Sequence, residues 1–116
     1  MAQEGVERLE RALERRLREV TGSAPVTERE LRTLAEKGDA WARTLTGLAA
    51  SAERRLTALA ADPESSLAHV AVELERAERL RRERDDLRIL LDALDARART
   101  LRTHWLAGQA RSGQSA

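Results

Sequence analysis

The chain has 116 residues, room for one domain, and its apolar side chains are mostly leucine and alanine, with two tryptophans and no Phe, Tyr or Cys. That set cannot fill a thick globular core but suits thin helical layers, and the lack of cysteine excludes disulfides, thiol catalysis and thiolate metal sites. A formal net charge of +1 gives no global field towards nucleic acid or an anionic membrane, so a charge-driven partner would need a local patch.

The first twenty residues carry a charge every two to four positions, which rules out a secretory signal, and the longest aliphatic run is only Ile89-Leu90-Leu91. No segment is expected to enter a membrane, and the default location is cytoplasmic. Val6, Leu9, Leu13, Leu17 and Val20 recur at spacings of three and four, predicting a first helix over about 3–20 that closes at TGSAP through Gly22 and Pro25. Thr27 and Glu30 then form a capping box, and Val26 and Leu31 stand where a hydrophobic staple would sit.

The second helix is predicted over 28–61. Leu31, Leu34, Gly38, Trp41, Leu45, Leu48 and Ala52 alternate three and four apart, and the seam shifts to Leu56 and Leu59 near its end. Gly38 is out of place, because glycine in a helix interior costs about 1 kcal/mol relative to alanine. Either it ends a short helix and Asp39 caps the next, or it allows close packing under a bulky neighbour. A helix-turn-helix reading of TERELRTLAEKGDAWARTL fails, since the glycine falls one position early and the segment after it is too long.

Asp62-Pro63-Glu64 reads as an N-cap, a first-turn proline and an acid facing the helix dipole. A third helix is expected over 63–107. It carries one seam of Val70, Ala77, Arg84, Leu91, Ala98 and Trp105 and a second of Leu67, Leu74, Leu80, Leu87, Leu94 and Leu101. Gly108 should end it and leave 108–116 as a disordered tail. At 1.5 Å per residue the third helix would be roughly 65 to 70 Å long and the second about 50 Å.

Two such helices joined by a tight turn form an antiparallel hairpin. A turn on Asp62-Pro63 sets Leu45 against Leu80, Leu48 against Ala77 and Trp41 against Arg84. The short first helix folds back over one end, so the predicted fold is all-α, a coiled-coil-like hairpin and three-helix bundle forming a single domain over 1–107. The alanine-rich far end, a protruding arm in this reading, is thinly packed, which favours self-association into a homo-oligomer.

RLRRERDDLR, at 79–88, concentrates five arginines. Most are expected to be self-neutralised by helical pairs, Glu75 with Arg79, Glu78 with Arg82, Arg81 with Asp85, and Arg88 with Asp85 or Asp92. The same spacing joins Glu7 to Arg11, Glu14 to Arg18, Glu28 to Arg32 and Asp95 to Arg99. Arg84 differs: no acid lies three or four positions from it and it occupies an apolar seam. It is expected to stack on Trp41 or to reach Asp39 or Glu36, either fixing helix register or offering a positive charge to an anionic partner. Beyond Asp95 there is no acid, and Arg97, Arg102 and Arg111 become candidate nucleic-acid contacts beside Trp105. The competing reading is that they complement the helix dipole and solvate its flanks.

Catalysis finds no constellation. His69 and His104 are far apart, His69 with Glu73 is an isolated pair, and neither Glu-x-x-His, His-Glu-x-x-His nor a glycine-rich phosphate loop occurs. No catalytic residue, metal ligand, cofactor or small-molecule substrate is expected, and the chain reads as non-enzymatic.

The segments TERELRTLAEKGDAWARTLTGLAA and HVAVELERAERLRRERDDLRILLDAL resemble the helical region of small terminase subunits from tailed phages of actinobacteria. There an acidic-leucine helix start precedes a helix rich in arginine and leucine. The resemblance covers about 27–94 and implies a nucleic-acid-associated, DNA-packaging component using the basic C-terminal end; an obvious DNA-binding head is lacking. Anti-sigma coiled coils that bind a cyclic dinucleotide are matched only at Ser51, Arg54 and Asp62, with Gly47 and Ala58 at the other two positions, and are set aside. The leading expectation is a scaffold or adaptor whose partner is a protein or a second copy; the alternative is the nucleic-acid-associated one.

Overall fold

The computed structural model describes residues 2–114; the side chains of residues 2–7, 9 and 114 lie outside that description. Those positions include Val6 and Leu9 of the first seam and Glu7 of the pair with Arg11. Three helices follow one another, α1 (Ala2–Gly22), α2 (Glu28–Ala61) and α3 (Leu67–Gln114), with no strand among the described residues. The long α3 packs against α2 and the shorter α1 packs at one end, the all-α hairpin bundle that the spacing predicts. The chain divides into two compact units, one of residues up to 37 with those from 89 onward, the other of residues 38–88.

The first unit owes its local order to the corner between α1 and α2. The Glu19 carbonyl accepts from both Ser23 N–H and Ala24 N–H, at 3.2 and 3.0 Å, closing α1 just before Pro25, which has no N–H to offer. Thr27 Oγ1 then accepts from Glu30 N–H at 3.1 Å, the forward half of the capping box. The return half is not made, because the Glu30 carboxylate is held by Arg16 of α1. Leu17, Val20, Leu31, Leu34, Leu94 and Ala98 are buried, so three helices meet in a core of mostly large side chains. Full burial of a leucine or valine is worth about 1.5–3 kcal/mol.

The second unit is built from α2 beyond Gly38 and α3 up to Arg88, and its core is thinner. Leu45, Ala49, Ala52, Ala77 and Leu87 are buried, with Leu56, Leu59 and Leu80 half-buried. α2 is unbroken at Gly38, which is buried and helical with ordinary negative φ, so the helix does not end there and Asp39 caps nothing. The expected seam is corrected at one place. Ala49 takes the inward position and Leu48 is 39% exposed, so two four-residue steps follow each other, Trp41 to Leu45 to Ala49. Such a stutter compensates for the drift of a 3.6-residue helix against a 3.5-residue repeat, and the shift read at Leu56 therefore begins earlier.

The turn between α2 and α3 also differs from expectation. Asp62 starts a β-turn: its backbone carbonyl accepts from Ser65 N–H at 3.1 Å and its Oδ1 from Glu64 N–H at 2.9 Å. Asp followed by Pro suits the first two positions of such a turn as well as a helix start. The cap of α3 is instead Ser66, whose Oγ accepts from His69 N–H at 3.1 Å, and α3 begins at Leu67, not at Pro63. The longer turn moves the hairpin register. Arg55 reaches Glu73 and Glu53 reaches Arg81, further along α3 than Val70 and Val72, which a turn on Asp62-Pro63 would place opposite them.

At its other end α3 runs through Gly108 to Gln114, so the expected stop and the expected tail over 108–114 are corrected. A glycine ends a helix when it adopts positive φ, and Gly108 does not. No proline or apolar cap follows it, and Ser112 Oγ donates back to Gly108 O at 3.1 Å. Residues 115 and 116 lie outside the described residues.

Candidate interaction surfaces

The side chains singled out in the sequence fall into three settings. In the first unit, Arg97 and Arg102 serve the fold. Arg97 Nη2 donates to Ala24 O at 3.2 Å, while its Nε is buried without a hydrogen-bond partner. Arg102 Nε donates to both carboxylate oxygens of Glu28 at 3.2 Å, and Arg32 reaches the same carboxylate at 3.4 Å. Arg16 lies on the α1 side of this corner, bonded to Glu30, to Glu19 at 3.1 Å and to Pro25 O at 3.1 Å. Arginines from α1 and α3 thus hold the consecutive carbonyls of Ala24 and Pro25.

These bonds set the local electrostatics. The hydrogen bond from Arg102, helped by its charge and by Arg32, holds the Glu28 carboxyl below its ordinary value against some desolvation. The hydrogen bond from Arg16 does the same for Glu30, and the Arg16 guanidinium is raised in turn, by Glu30 first and Glu19 second. Arg111 stands exposed in the last turn of α3, where a positive charge complements the helix dipole. Arg97 and Arg102 are thus bonded within the chain, and Arg111 lies nine residues beyond Arg102 on α3.

In the second unit Arg84 is 25% exposed, not buried, and its Nε donates to Asp85 Oδ1 at 3.1 Å. The Arg84 guanidinium therefore has an acid partner on its own helix, the next residue in the chain. Adjacent residues on a helix diverge, but a long arginine folds back far enough to reach a short exposed aspartate. Trp41 is half-buried and Asp39 exposed in the same unit. Arg81 leaves Asp85 and crosses to Glu53 at 2.7 Å, and Arg55 Nε lies 3.7 Å from Glu73 Oε2, an oxygen buried without a hydrogen bond. Of the expected helical pairs, Glu14 with Arg18, Glu28 with Arg32 and Asp95 with Arg99 form, at 2.8, 3.4 and 3.4 Å. Glu75 with Arg79 and Glu78 with Arg82 are not among the described ion pairs.

The third setting is the exposed aliphatic surface, of which only Leu67 and Leu74 were expected in a seam. Leu67 is 87% exposed, Ile89 67% and Leu106 65%, and Val72 and Leu74 are exposed as well. All five lie on α3. The signal that could have found three of them is that Val72, Ile89 and Leu106 fall outside both seams.

A shallow, open depression lined by Ala50, Glu53, Arg54 and Thr57 lies on a single helix and encloses nothing. Among the described residues no group of three or more His, Cys, Asp or Glu is placed to hold a metal, and no helix is long and apolar enough to cross a membrane. What this arrangement offers chemically is helix surface. No protein family, no curated protein and no solved structure matches the chain, so the likeness to small terminase subunits gains no support from these comparisons.

Proposed function

We propose that the chain is a non-enzymatic helical assembly module, a scaffold or adaptor that acts through helix faces and associates with itself. The observation that carries this reading is the set of large aliphatic side chains left in water along α3, Leu67, Val72, Leu74, Ile89 and Leu106, among its exposed charged residues. Single exposed leucines are ordinary on protein surfaces, whereas five large aliphatic side chains exposed along one helix fit a surface that a partner covers. Covering them returns about 25 cal/mol per Å² of apolar area, and a stable interface needs roughly 1,200–2,000 Å² in total.

The nucleic-acid reading draws less support, because Arg97 and Arg102 are bonded to Ala24 and Glu28. Size-exclusion chromatography with light scattering at 0.1 and 0.5 M salt, with and without a mixed-sequence DNA duplex, separates the two. Self-association through apolar faces gives a mass above 12.9 kDa that survives the higher salt and ignores DNA. A monomer that shifts only with DNA, and only at low salt, would overturn the proposal in favour of nucleic-acid association.

A further inference from the structure

In the first unit α3 has two unlike faces. Leu90, Leu94, Ala98, Leu101 and Trp105 turn inward, buried or half-buried. On the opposite side Ile89, Ala93, Ala96, Thr100, Thr103 and Ala107 are all exposed, and none is charged in a chain where 35% of residues are. Their steps alternate four and three without interruption, the repeat of a coiled-coil seam that has no partner within the chain. Thr100 and Thr103 donate their hydroxyls to Ala96 O and Arg99 O of their own helix, at 3.1 and 2.9 Å, so neither needs a partner outside it.

We infer that this face binds the same face of a second copy, with the two α3 helices antiparallel. The inference rests on the self-association reading and adds to it the face and the direction. Both are decided by the rim. Asp92 and Arg99 stand two turns apart on one rim, exposed, with Asp92 in no ion pair among the described residues and Arg99 paired only with its own Asp95, 3.4 Å away.

An antiparallel pair brings like rims together. Centred between Ala93 and Ala96, it sets Asp92 of each copy against Arg99 of the other, twice by symmetry, and lays Ile89 over the partner's Thr100. A parallel pair brings unlike rims together. It opposes Arg99 to His104, and it opposes Asp92 to Arg97, which Ala24 O already engages. The exposed ion pairs add little affinity; they select the direction, while Ile89 and the small residues between the rims supply the close contact.

The chain has no cysteine of its own, which makes the test direct. Ala93→Cys and Ala96→Cys variants are purified separately, then oxidised alone and as a mixture. The antiparallel pair predicts a cross-linked dimer in the mixture that contains one copy of each variant, and little from either alone. Efficient cross-linking of each variant with itself would establish a parallel pair and overturn the direction.

Ala96→Glu, on the exposed face, is expected to keep its helical circular dichroism and to weaken self-association by about tenfold or more, because an unpaired charge is then buried. Asp92→Arg should weaken it as well, and adding Arg99→Asp to that variant should restore it. An oligomer that persists unchanged in Ala96→Glu, with no cross-link in any mixture, overturns this face while leaving the self-association reading standing. A wild-type chain that is monomeric at every concentration overturns both.

Discussion

The same two helices, α2 and α3, are covered very differently in the two units. In the first, α1 supplies a third wall, and Leu17, Val20, Leu31, Leu34 and Leu94 lie out of water between three helices. In the second, two helices have only each other. Alanines at 49, 52 and 77 let them approach closely, yet Leu67, Val72 and Leu74 stay exposed because no third helix covers them. Helical order is thus fixed by packing in one region and rests more in the other on the Ser66 cap, the Asp62 turn and the cross-helix pairs Glu53 with Arg81 and Arg55 with Glu73.

If this contrast is right, the largest effect belongs to the three-helix core. Leu31→Ala should cost about 2–5 kcal/mol in denaturant unfolding, as a leucine lost from a closed site does. The second unit should respond to the opposite change. Ala52→Leu or Ala77→Leu should cost about 1–3 kcal/mol by forcing the helices apart, and an unchanged or raised stability would show that these helices are not in close contact there.

The two caps come next. Thr27→Ala and Ser66→Ala are each expected to lose about 1 kcal/mol, and a Ser66→Ala variant as stable as wild type would return the start of α3 to Asp62. The smallest effect is electrostatic. Glu28 and Glu30 have carboxyls held below their ordinary value near 4.5, so the stability they contribute is complete above that value and is lost as pH falls through their lowered values. Acid titration of Glu30→Gln should therefore show a shallower loss of stability below about pH 4.5 than wild type.

What could be read from the sequence was whatever depends on neighbours within one turn. The start of α2 at Thr27 followed from a capping grammar that has few other uses, and the seam residues Leu31, Leu34 and Leu45 followed from their spacing. The start of α3 did not, because Asp-Pro serves a β-turn and a helix start equally well, and the misplaced turn carried the hairpin register with it. Arg84 was read against residues three and four positions away, and its partner is the next one. The acid-free segment after Asp95 looked like uncompensated positive charge; its compensation comes from Ala24 and Glu28, 73 and 74 residues away in the chain. Gly108 looked like a stop because glycine often is one, although nothing after it ends the helix.

Large side chains are buried between three helices in the first unit, whereas the core of the second lies between two and is mostly alanine. Native-state hydrogen exchange read residue by residue tests this contrast most directly. Amides of residues 31–37 and 90–101 are expected to exchange only through global unfolding. Those of residues 50–60 and 68–76 should exchange through smaller openings, with correspondingly lower protection. Equal protection along the whole of α2 and α3 would contradict the contrast.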